Sequence, residues 1–205
     1  MKKLFCIIGR SASGKSSLTK TVAKDFGLKV VKSYTTRPMR EGETEQNSDH
    51  YFISDDEVKF YKKQMITYTE INGYKYFTTT DVLKQSDIYV IDPEGYQFLS
   101  KNIEKYHLNI KLIPIYIKVS KDELCERAKK RGDNIQSYLK RYNSESLQFE
   151  NFEKSLSRSG VEVIHNFDYE RSIYRLKNII LHNLPIVRKI RCKINNLKMK
   201  GSRWC

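Results

Sequence analysis

The feature that most constrains this chain is a glycine-rich loop near its start. Residues Gly9–Ser16 read GRSASGKS and fit the pattern G-x-x-x-x-G-K-[ST]. Glycines let backbone N–H groups wrap around a phosphate, and the N-terminus of a following helix adds partial positive charge. Lys15 can reach the terminal phosphates of a nucleotide, and the Ser16 hydroxyl can ligate Mg²⁺. The motif therefore predicts a nucleotide-binding P-loop.

The sequence on both sides of the loop agrees with this prediction. The apolar run Leu4–Ile8 predicts a short buried strand, and the apolar spacing within Ser16–Phe26 predicts a helix. A strand before the loop and a helix after it are the context that a P-loop requires. We expect ATP to be bound by Gly9, Arg10, Ser11, Ala12, Ser13, Gly14, Lys15, Ser16 and Ser17.

Much of the remaining chain alternates between strand and helix patterns. Strands are predicted at Leu28–Val31, Ile88–Ile91, Leu112–Ile117 and Val161–Ile164. Helices are predicted after a capping box at Ser120 and Glu123, within Ile135–Leu156, and over Tyr169–Leu184. Pro114 indicates an irregularity or a sheet edge. The alternation predicts an α/β fold in which helices cover both faces of a parallel sheet.

The middle of the chain has a different pattern. Residues 34–87 are polar and aromatic, with short alternating pieces such as His50–Ile53 and Tyr74–Phe77. They predict a small mixed sheet with one helix near Asp55–Gln64, inserted as a lobe. We therefore expect a core formed by residues 1–32 and 88–184, a lobe formed by 33–87, and a tail at 185–205.

Charge and composition narrow the function classes. The chain has 205 residues and a formal net charge of +14, which suits a single domain with a small insert and an anionic ligand. Its four cysteines have the spacing of neither a zinc site nor a disulfide framework. No apolar run approaches the ~18–20 residues that span a bilayer. The apolar run near the start of the sequence is too short for a signal peptide. We expect a cytoplasmic protein.

The tail at residues 185–205 is a separate question, because it carries seven Lys and Arg and no acidic residue. Its apolar residues recur at helical spacing with basic residues between them, which is typical of an amphipathic helix that meets RNA or an anionic surface. A helix end that packs on its own body or on a neighbour explains the same pattern, and both interpretations stay open.

A second informative run is Ser33–Glu43, which reads SYTTRPMREGE. Arg37 and Arg40 lie three residues apart, stiffened by Pro38, and can converge on one phosphate. A phosphate acceptor is already a nucleophile, so it needs its charge neutralised rather than a general base. The run therefore predicts the site of a phosphate acceptor.

Asp92 ends the strand predicted at Ile88–Ile91. A carboxylate at this place organises Mg²⁺ in P-loop proteins. An aspartate after a strand is also a common helix cap, here for the residues from Glu94 onward. We predict Ser16 and Asp92 as the metal-binding residues, with the capping role as the alternative for Asp92.

With these motifs in this order, the sequence resembles the guanylate kinase family of ATP:GMP phosphotransferases. The likeness runs from the P-loop to about Asn166. It is carried by Gly9–Leu18, Ser33–Glu43, Asp49–Ser54, Gly73–Tyr76, Ile91–Gly95, Arg127 to Arg141, and Val163–Asn166. The resemblance implies a P-loop kinase fold with an acceptor-binding lobe, ATP and Mg²⁺ as cofactors, and a mobile lid at about 127–145.

The resemblance also implies roles for individual residues. Arg37 and Arg40, helped by Tyr76, would hold the acceptor phosphate. Arg131 and Arg141 would come from the lid and stabilise the transferring phosphoryl group, and Asn166 would lie by the adenine. The acceptor-binding residues implied in this way are Ser33, Arg37, Arg40, His50, Tyr51, Thr67, Tyr76, Thr78 and Asp92. Among these, Ser33 and Thr78 would contact the base.

The chain departs from the family pattern at the acceptor phosphate. His50 stands where the family has its phosphate-binding Tyr, unless Tyr51 takes that role through a local shift. The small residue that follows the family's Tyr pair is here Phe77. The sequence therefore leaves His50 and Tyr51 as alternatives for this position in the phosphate site.

The departures at the base are larger. The family's guanine-reading Glu aligns with Thr67, and strand alternation places Glu70 on the opposite face. The first acid of the family's Asp-x-Asp aligns with Val90. A carboxylate is the natural acceptor for the N1–H and N2–H groups of guanine. The sequence therefore predicts phosphoryl transfer more firmly than it predicts the base, and predicts weaker discrimination for guanine.

Several functions stay open from the residues alone. The leading hypothesis is a nucleoside monophosphate kinase that acts on GMP or dGMP in purine nucleotide metabolism, as a monomer or homodimer. A kinase of the same fold could take a different or modified base, or a ribosyl phosphate. A non-catalytic interaction module with this fold is a third hypothesis, against which the intact Lys15 and Ser16 count. Nucleic-acid binding through the tail is a fourth.

Overall fold

The computed structural model describes residues 1–71 and 73–184, without the side chains of 157–159. The predictions for the basic tail, and Cys192 and Cys205 with it, lie outside the described residues. The described strands are β1 (Lys2–Ile8), β2 (Ser33–Thr35), β3 (His50–Phe52), β4 (Met65–Ile71), β5 (Tyr74–Thr79), β6 (Ile88–Ile91), β7 (Ile110–Lys118) and β8 (Glu162–His165). The described helices are α1 (Lys15–Phe26), α2 (Val58–Tyr61), α3 (Thr80–Gln85), α4 (Pro93–Lys105), α5 (Lys121–Lys130), α6 (Ile135–Ser144), α7 (Ser146–Ser159) and α8 (Tyr169–Asn183).

The larger core is built on a parallel sheet with the order β6-β1-β7-β8. Side chains alternate along β1, so Phe5 and Ile7 pack on one face and Leu4, Cys6 and Ile8 on the other. Helices α1 and α8 cover the first face, and α4 and α7 cover the second. Burial of each such large apolar side chain stabilises the fold by about 1.5–3 kcal/mol. The predicted parallel α/β sheet with helices on both faces is confirmed.

A second sheet has the order β3-β2-β5-β4. Strands β2 and β3 are parallel, whereas β5 pairs antiparallel with both β2 and β4. This is the mixed sheet predicted between residues 34 and 87, and α2 supplies one turn of the helix expected near Asp55–Gln64. The structure adds α3, which the sequence reading missed, with Thr79 as its N-cap. The boundaries proposed for core and lobe stay a prediction.

Three local predictions were wrong. Leu28–Val31 is not a strand, because only Val30 makes a single bridge, to Ile88. Pro114 marks neither an edge nor an irregularity, since β7 lies between β1 and β8 and its register with β1 runs unbroken through Pro114. The long helix predicted within Ile135–Leu156 is two helices that meet at Glu145. Within the part of the chain that the structure describes, none of the helices is long and apolar enough to cross a membrane.

Candidate active site

The P-loop connects β1 to α1, and its two glycines are required by close contacts. A Cβ on Gly9 would lie 2.7 Å from the Ile117 carbonyl oxygen and 2.9 Å from the Ser13 Oγ. Gly14 has a φ of +87°, and a Cβ there would lie 2.5 Å from the Asn166 Nδ2. Any larger residue at either position would push the loop away from its neighbours. The glycines therefore fix the tight curl that exposes backbone N–H groups to a phosphate.

Lys15 extends from the first turn of α1 back across this loop. Its Nζ donates to the Arg10 carbonyl oxygen at 2.7 Å. Desolvation, followed by the charge of Arg141, lowers the pKa of Lys15 to about 8, and the carboxylates of Glu145 and Asp92 oppose the shift. The free enzyme thus holds a cation at the mouth of the loop that gains strongly from a bound anion.

A cleft of about 180 Å³ lies where the P-loop faces the second sheet. The predicted site residues that line it are Gly9, Ser11, Lys15, Ser33, Arg37, Arg40, His50, Thr67, Tyr76, Asp92 and Arg141. The fold therefore brings the phosphate loop and the acceptor motif, which are separate in sequence, to one opening.

Arg37 is the most firmly held cation in the cleft. Its guanidinium donates to both Glu43 carboxylate oxygens, at 2.8 and 3.0 Å, and to the Pro38 carbonyl oxygen at 2.6 Å. Tyr76 lies beside it. The Arg37 Nε is buried and has no hydrogen-bond partner among the described residues. An anion in the cleft would supply that partner, as expected for an acceptor phosphate.

Glu43 is a site residue that the sequence reading did not single out. Hydrogen bonding to Arg37 lowers its pKa to about 2, helped by bonds from the Arg40 N–H and the Ser48 hydroxyl. The carboxylate is therefore ionised at all physiological pH values and fixes both arginine segments. Glu43 is the last residue of the Ser33–Glu43 run, and this position was the sequence signal that could have identified it as a site residue.

The structure separates the two candidates for the missing phosphate-binding Tyr. His50 lines the cleft, and its Nδ1 lies 2.8 Å from the Ser33 Oγ. Burial, together with the Arg37 charge, lowers the pKa of His50 to about 4, so the ring is neutral at pH 7. Tyr51 is 43% exposed, packs on Tyr34, and does not line the cleft.

The far end of the cleft is formed by hydroxyl groups. Thr67 is buried, its Oγ1 accepts from the Thr78 N–H at 3.0 Å, and it lies 2.9 Å from the Tyr89 hydroxyl. Thr78 does not line the cleft, and its backbone N–H bonds to the cleft-lining Thr67. Glu70 is exposed on the other face of β4, where it accepts from Tyr68.

Asp92 takes the capping role that was the alternative prediction for it, and its Mg²⁺ role stays a prediction. It is the N-cap of α4 and accepts from the Gly95 N–H at 2.8 Å. Burial raises the pKa of Asp92, and the residue lines the same cleft as Lys15. Ser16 lies one residue after Lys15 and is exposed.

The arginines of the predicted lid are divided between two places. Arg141 lines the main cleft, and its Nε donates to Glu145 at 2.7 Å. Arg131 pairs with Asp133 and lines a second hollow beside the P-loop. The other residues that line this hollow are Ala12, Gly14, Ser17, Arg127, Asn166, Phe167 and Tyr169.

Two hydrogen bonds hold the elements around this hollow to the P-loop. Asn166 donates to the Ser13 carbonyl oxygen at 2.8 Å. Helix α6 docks here, because the Tyr138 hydroxyl donates to the Ser11 carbonyl oxygen at 3.2 Å.

Arg127 from α5 and Arg10 of the P-loop itself make further contacts around the loop. Arg127 donates to the Asn166 carbonyl oxygen at 2.7 Å. Arg10 lies over the rings of Tyr142 and Phe149, at 4.1 and 4.6 Å from their centroids. Neither contact follows from spacing, since each joins segments far apart in the chain.

Fold and site together define a P-loop phosphotransferase whose phosphate loop and arginine-lined cleft share one opening. The guanylate kinase family model matches residues 1–183, and the chain belongs to the guanylate kinase family. It is therefore an ATP-dependent phosphotransferase of guanylate kinase type.

Individual relatives agree with this assignment. The chain is 26% identical to the guanylate kinase of Bartonella henselae over 158 residues, 73% of this chain and 71% of that one. It is 30% identical to that of Cupriavidus metallidurans, across 64% and 62% of the two chains. Against that of Mycoplasma genitalium the identity is 32%, across 74% and 67%. The match thus spans less than two thirds of the Cupriavidus relative.

A solved structure shows the same fold. The guanylate kinase of Anaplasma phagocytophilum superposes with a TM-score of 0.61 at 21% sequence identity. The match covers 91% of this chain and 89% of that one. The α/β P-loop kinase fold predicted from the sequence is confirmed.

Proposed function

We propose that this enzyme transfers the γ-phosphate of ATP to GMP or dGMP and forms the nucleoside diphosphate. The observation that supports the proposal most is the acceptor cleft itself. Arg37 is clamped by Glu43 with its Nε buried and unpartnered, in the same opening as Lys15. The cleft thus offers one cationic group to an acceptor phosphate and another to a donor phosphate.

On the acceptor side, we assign the phosphate to Arg37 and Arg40, with Tyr76 and His50 beside them. The acceptor oxygen needs no general base, because a phosphate monoester is already an anion at pH 7. What it needs is neutralisation, so that the negatively charged γ-phosphate can approach. Charge-assisted hydrogen bonds from two arginines supply it. Because His50 is neutral, it can take part as a hydrogen-bond group but adds no charge.

On the donor side, we assign the ATP phosphates to the backbone of Gly9–Gly14 and to Lys15. Arg141 faces the same cleft and is placed to stabilise the charge that spreads over the transferring phosphoryl group. The hollow beside the P-loop, lined by Arg131 and Asn166, is assigned to the nucleoside of ATP.

The residues present fit a Mg²⁺ ion bound together with ATP. Ser16 offers a hydroxyl at the start of α1, and Asp92 a carboxylate in the cleft. Mg²⁺ prefers such oxygen ligands and is usually held by one or two carboxylates together with substrate phosphates. When bound, the ion would neutralise charge on the phosphates. The cytoplasmic location and the oligomeric state stay predictions.

The proposal is tested by incubating the pure protein with Mg-ATP and a panel of nucleoside monophosphates while ADP release is followed. We expect turnover with GMP and dGMP. Pyrimidine monophosphates and ribose 5-phosphate serve as controls for the other acceptor hypotheses. A protein that binds ATP but releases no ADP with any acceptor would instead be the non-catalytic module.

The lowered pKa of Lys15 gives a pH prediction. Because the pKa is lowered to about 8, the free enzyme carries the charged form below that pH and loses it above. We expect kcat/KM for ATP to fall by up to tenfold per pH unit between pH 8 and 9.5. Bound ATP would raise the pKa, so kcat should change less. Rates measured from pH 7.5 to 9.5 at saturating acceptor test this, and a flat profile would contradict it.

A further inference from the structure

We propose that the Thr67–Tyr89 hydroxyl pair reads the acceptor base, and that it accepts 6-oxopurine monophosphates with or without a 2-amino group. IMP would then be a substrate alongside GMP. The inference rests on the proposed function, because it concerns the same acceptor cleft. It assigns base recognition to two neutral groups that lie 22 positions apart in sequence.

The two hydroxyls form a built and enclosed part of the cleft. Thr67 on β4 is 1% exposed and Tyr89 on β6 is 6% exposed, and both line the cleft. Their oxygens are 2.9 Å apart. The Thr67 Oγ1 also accepts the Thr78 N–H at 3.0 Å, which holds the pair in place from the backbone of β5.

Counting hydrogens shows what this pair can offer. Each hydroxyl has one hydrogen, and one of the two is used in the bond between them. If Tyr89 donates, Thr67 has both lone pairs occupied and presents its own hydrogen, while Tyr89 presents a lone pair. If Thr67 donates, the roles are exchanged. In either arrangement the pair presents one donor and one acceptor, and rotation of both hydroxyls reverses them.

This pattern does not match two adjacent donors. The N1–H and N2–H groups of guanine are such donors, and only one of them can bond to the single acceptor that the pair presents. The O6 and N1–H groups of any 6-oxopurine are an adjacent acceptor and donor, and these complement the pair. The 2-amino group is therefore not what this end of the cleft recognises.

The two carboxylates that line the cleft, Asp92 and Glu145, are bonded to protein groups, and on the proposed function the remaining acceptor capacity of Asp92 is taken by Mg²⁺. Asp92 accepts the Gly95 N–H and a hydrogen bond from Thr69. Glu145 accepts from Arg141. Glu70 faces away, with Tyr68. The 2-amino group is thus left with at most a neutral hydrogen bond. Loss of a neutral bond lowers affinity about 2- to 13-fold, whereas loss of a bond to a charged group lowers it about 13- to 160-fold.

The decisive measurement is the ratio of kcat/KM for GMP to that for IMP in the unmodified protein, at saturating Mg-ATP. We expect a ratio below about 13, because only a neutral bond distinguishes the two substrates. A larger ratio would overturn the proposal while leaving the GMP kinase function standing. If neither nucleotide turns over, the proposed function fails. The ratio of GMP and IMP dissociation constants, measured by calorimetry, then decides the base question against the same threshold.

Variants locate the effect. Tyr89→Phe should raise the KM of both nucleotides with little change in kcat, because the ring remains and only the hydroxyl is removed. Tyr68→Phe is the matched control, since its hydroxyl meets Glu70 on the other face of β4. Equal KM values in Tyr89→Phe and the unmodified protein would contradict the assignment.

Thr67→Glu supplies the missing charge and should raise the GMP-to-IMP ratio by about 13-fold or more. The ratio is insensitive to the fraction of protein that is folded, because both substrates are measured on one sample. Glu70→Gln, on the opposite face of the strand, should leave it unchanged. An unchanged ratio in folded Thr67→Glu would show that the base is read elsewhere.

Discussion

Replacing Lys15 with alanine is expected to lower kcat by about 10²–10³-fold. Lys15 lies at the mouth of the P-loop and its charge faces the cleft shared with the acceptor arginines. A cation at this place stabilises the charge on the transferring phosphoryl group more than it stabilises bound ATP. The loss corresponds to roughly 2.7–4 kcal/mol of transition-state stabilisation, and ADP release with GMP as acceptor measures it.

The fold should tolerate the Lys15 change. The Lys15 side chain makes one hydrogen bond to the Arg10 carbonyl oxygen, at a loop that faces the open cleft. The matched control is Lys24→Ala, which removes a lysine from the exposed last turn of the same helix. We expect that control to keep the activity of the unmodified protein. Full turnover by a folded Lys15→Ala protein would exclude the P-loop as the catalytic site.

The second large effect is expected for Arg37→Ala, which should raise the KM of the acceptor at least about tenfold. Each charge-assisted hydrogen bond to a phosphate contributes about 1.5–3 kcal/mol, and Arg37 has its Nε–H free for one. The KM of ATP should not change, because Arg37 lies in the segment that follows β2 and not in the P-loop. Initial rates with each substrate varied in turn separate the two constants.

Arg37→Ala also leaves the ionised Glu43 without its partner, so part of the effect could come from the local fold. Arg40→Ala avoids this problem, because Arg40 is exposed and its link to Glu43 is through the backbone N–H. It should also raise the acceptor KM with little change in melting temperature. A raised ATP KM with an unchanged acceptor KM, in either variant, would reverse the assignment of the two sites.

Local patterns in the sequence were sufficient for most of the framework. A continuous apolar run before Gly9 and a helical spacing after Lys15 determine the strand and helix of the P-loop, because both depend on neighbours close in the chain. The capping box at Ser120 is confirmed for the same reason, since its hydroxyl accepts from the Glu123 N–H. The parallel sheet follows from the alternation of strands and helices.

The wrong predictions fall where the same local sequence pattern is compatible with more than one secondary structure. Leu28–Val31 has the composition of a strand, but among the described residues its only β-bridge joins Val30 to Ile88, which is too little pairing to form a strand. The polar stretch after Ile135 continues in helical period through Glu145, and nothing in that period reveals where one helix ends and the next begins. Packing of α6 against the P-loop and of α7 against the sheet decides the break.

The sequence by itself determined the chemistry that the site can perform, because the P-loop and the two arginines are short motifs whose residues act through their own charges and backbone. Tertiary structure alone decided how that chemistry is directed. In the folded chain His50, and not Tyr51, lines the cleft. The hydroxyls of Thr67 and Tyr89 form a hydrogen bond between the two sheets. These are contacts between side chains, fixed by how strands from distant parts of the chain meet, and no spacing rule encodes them.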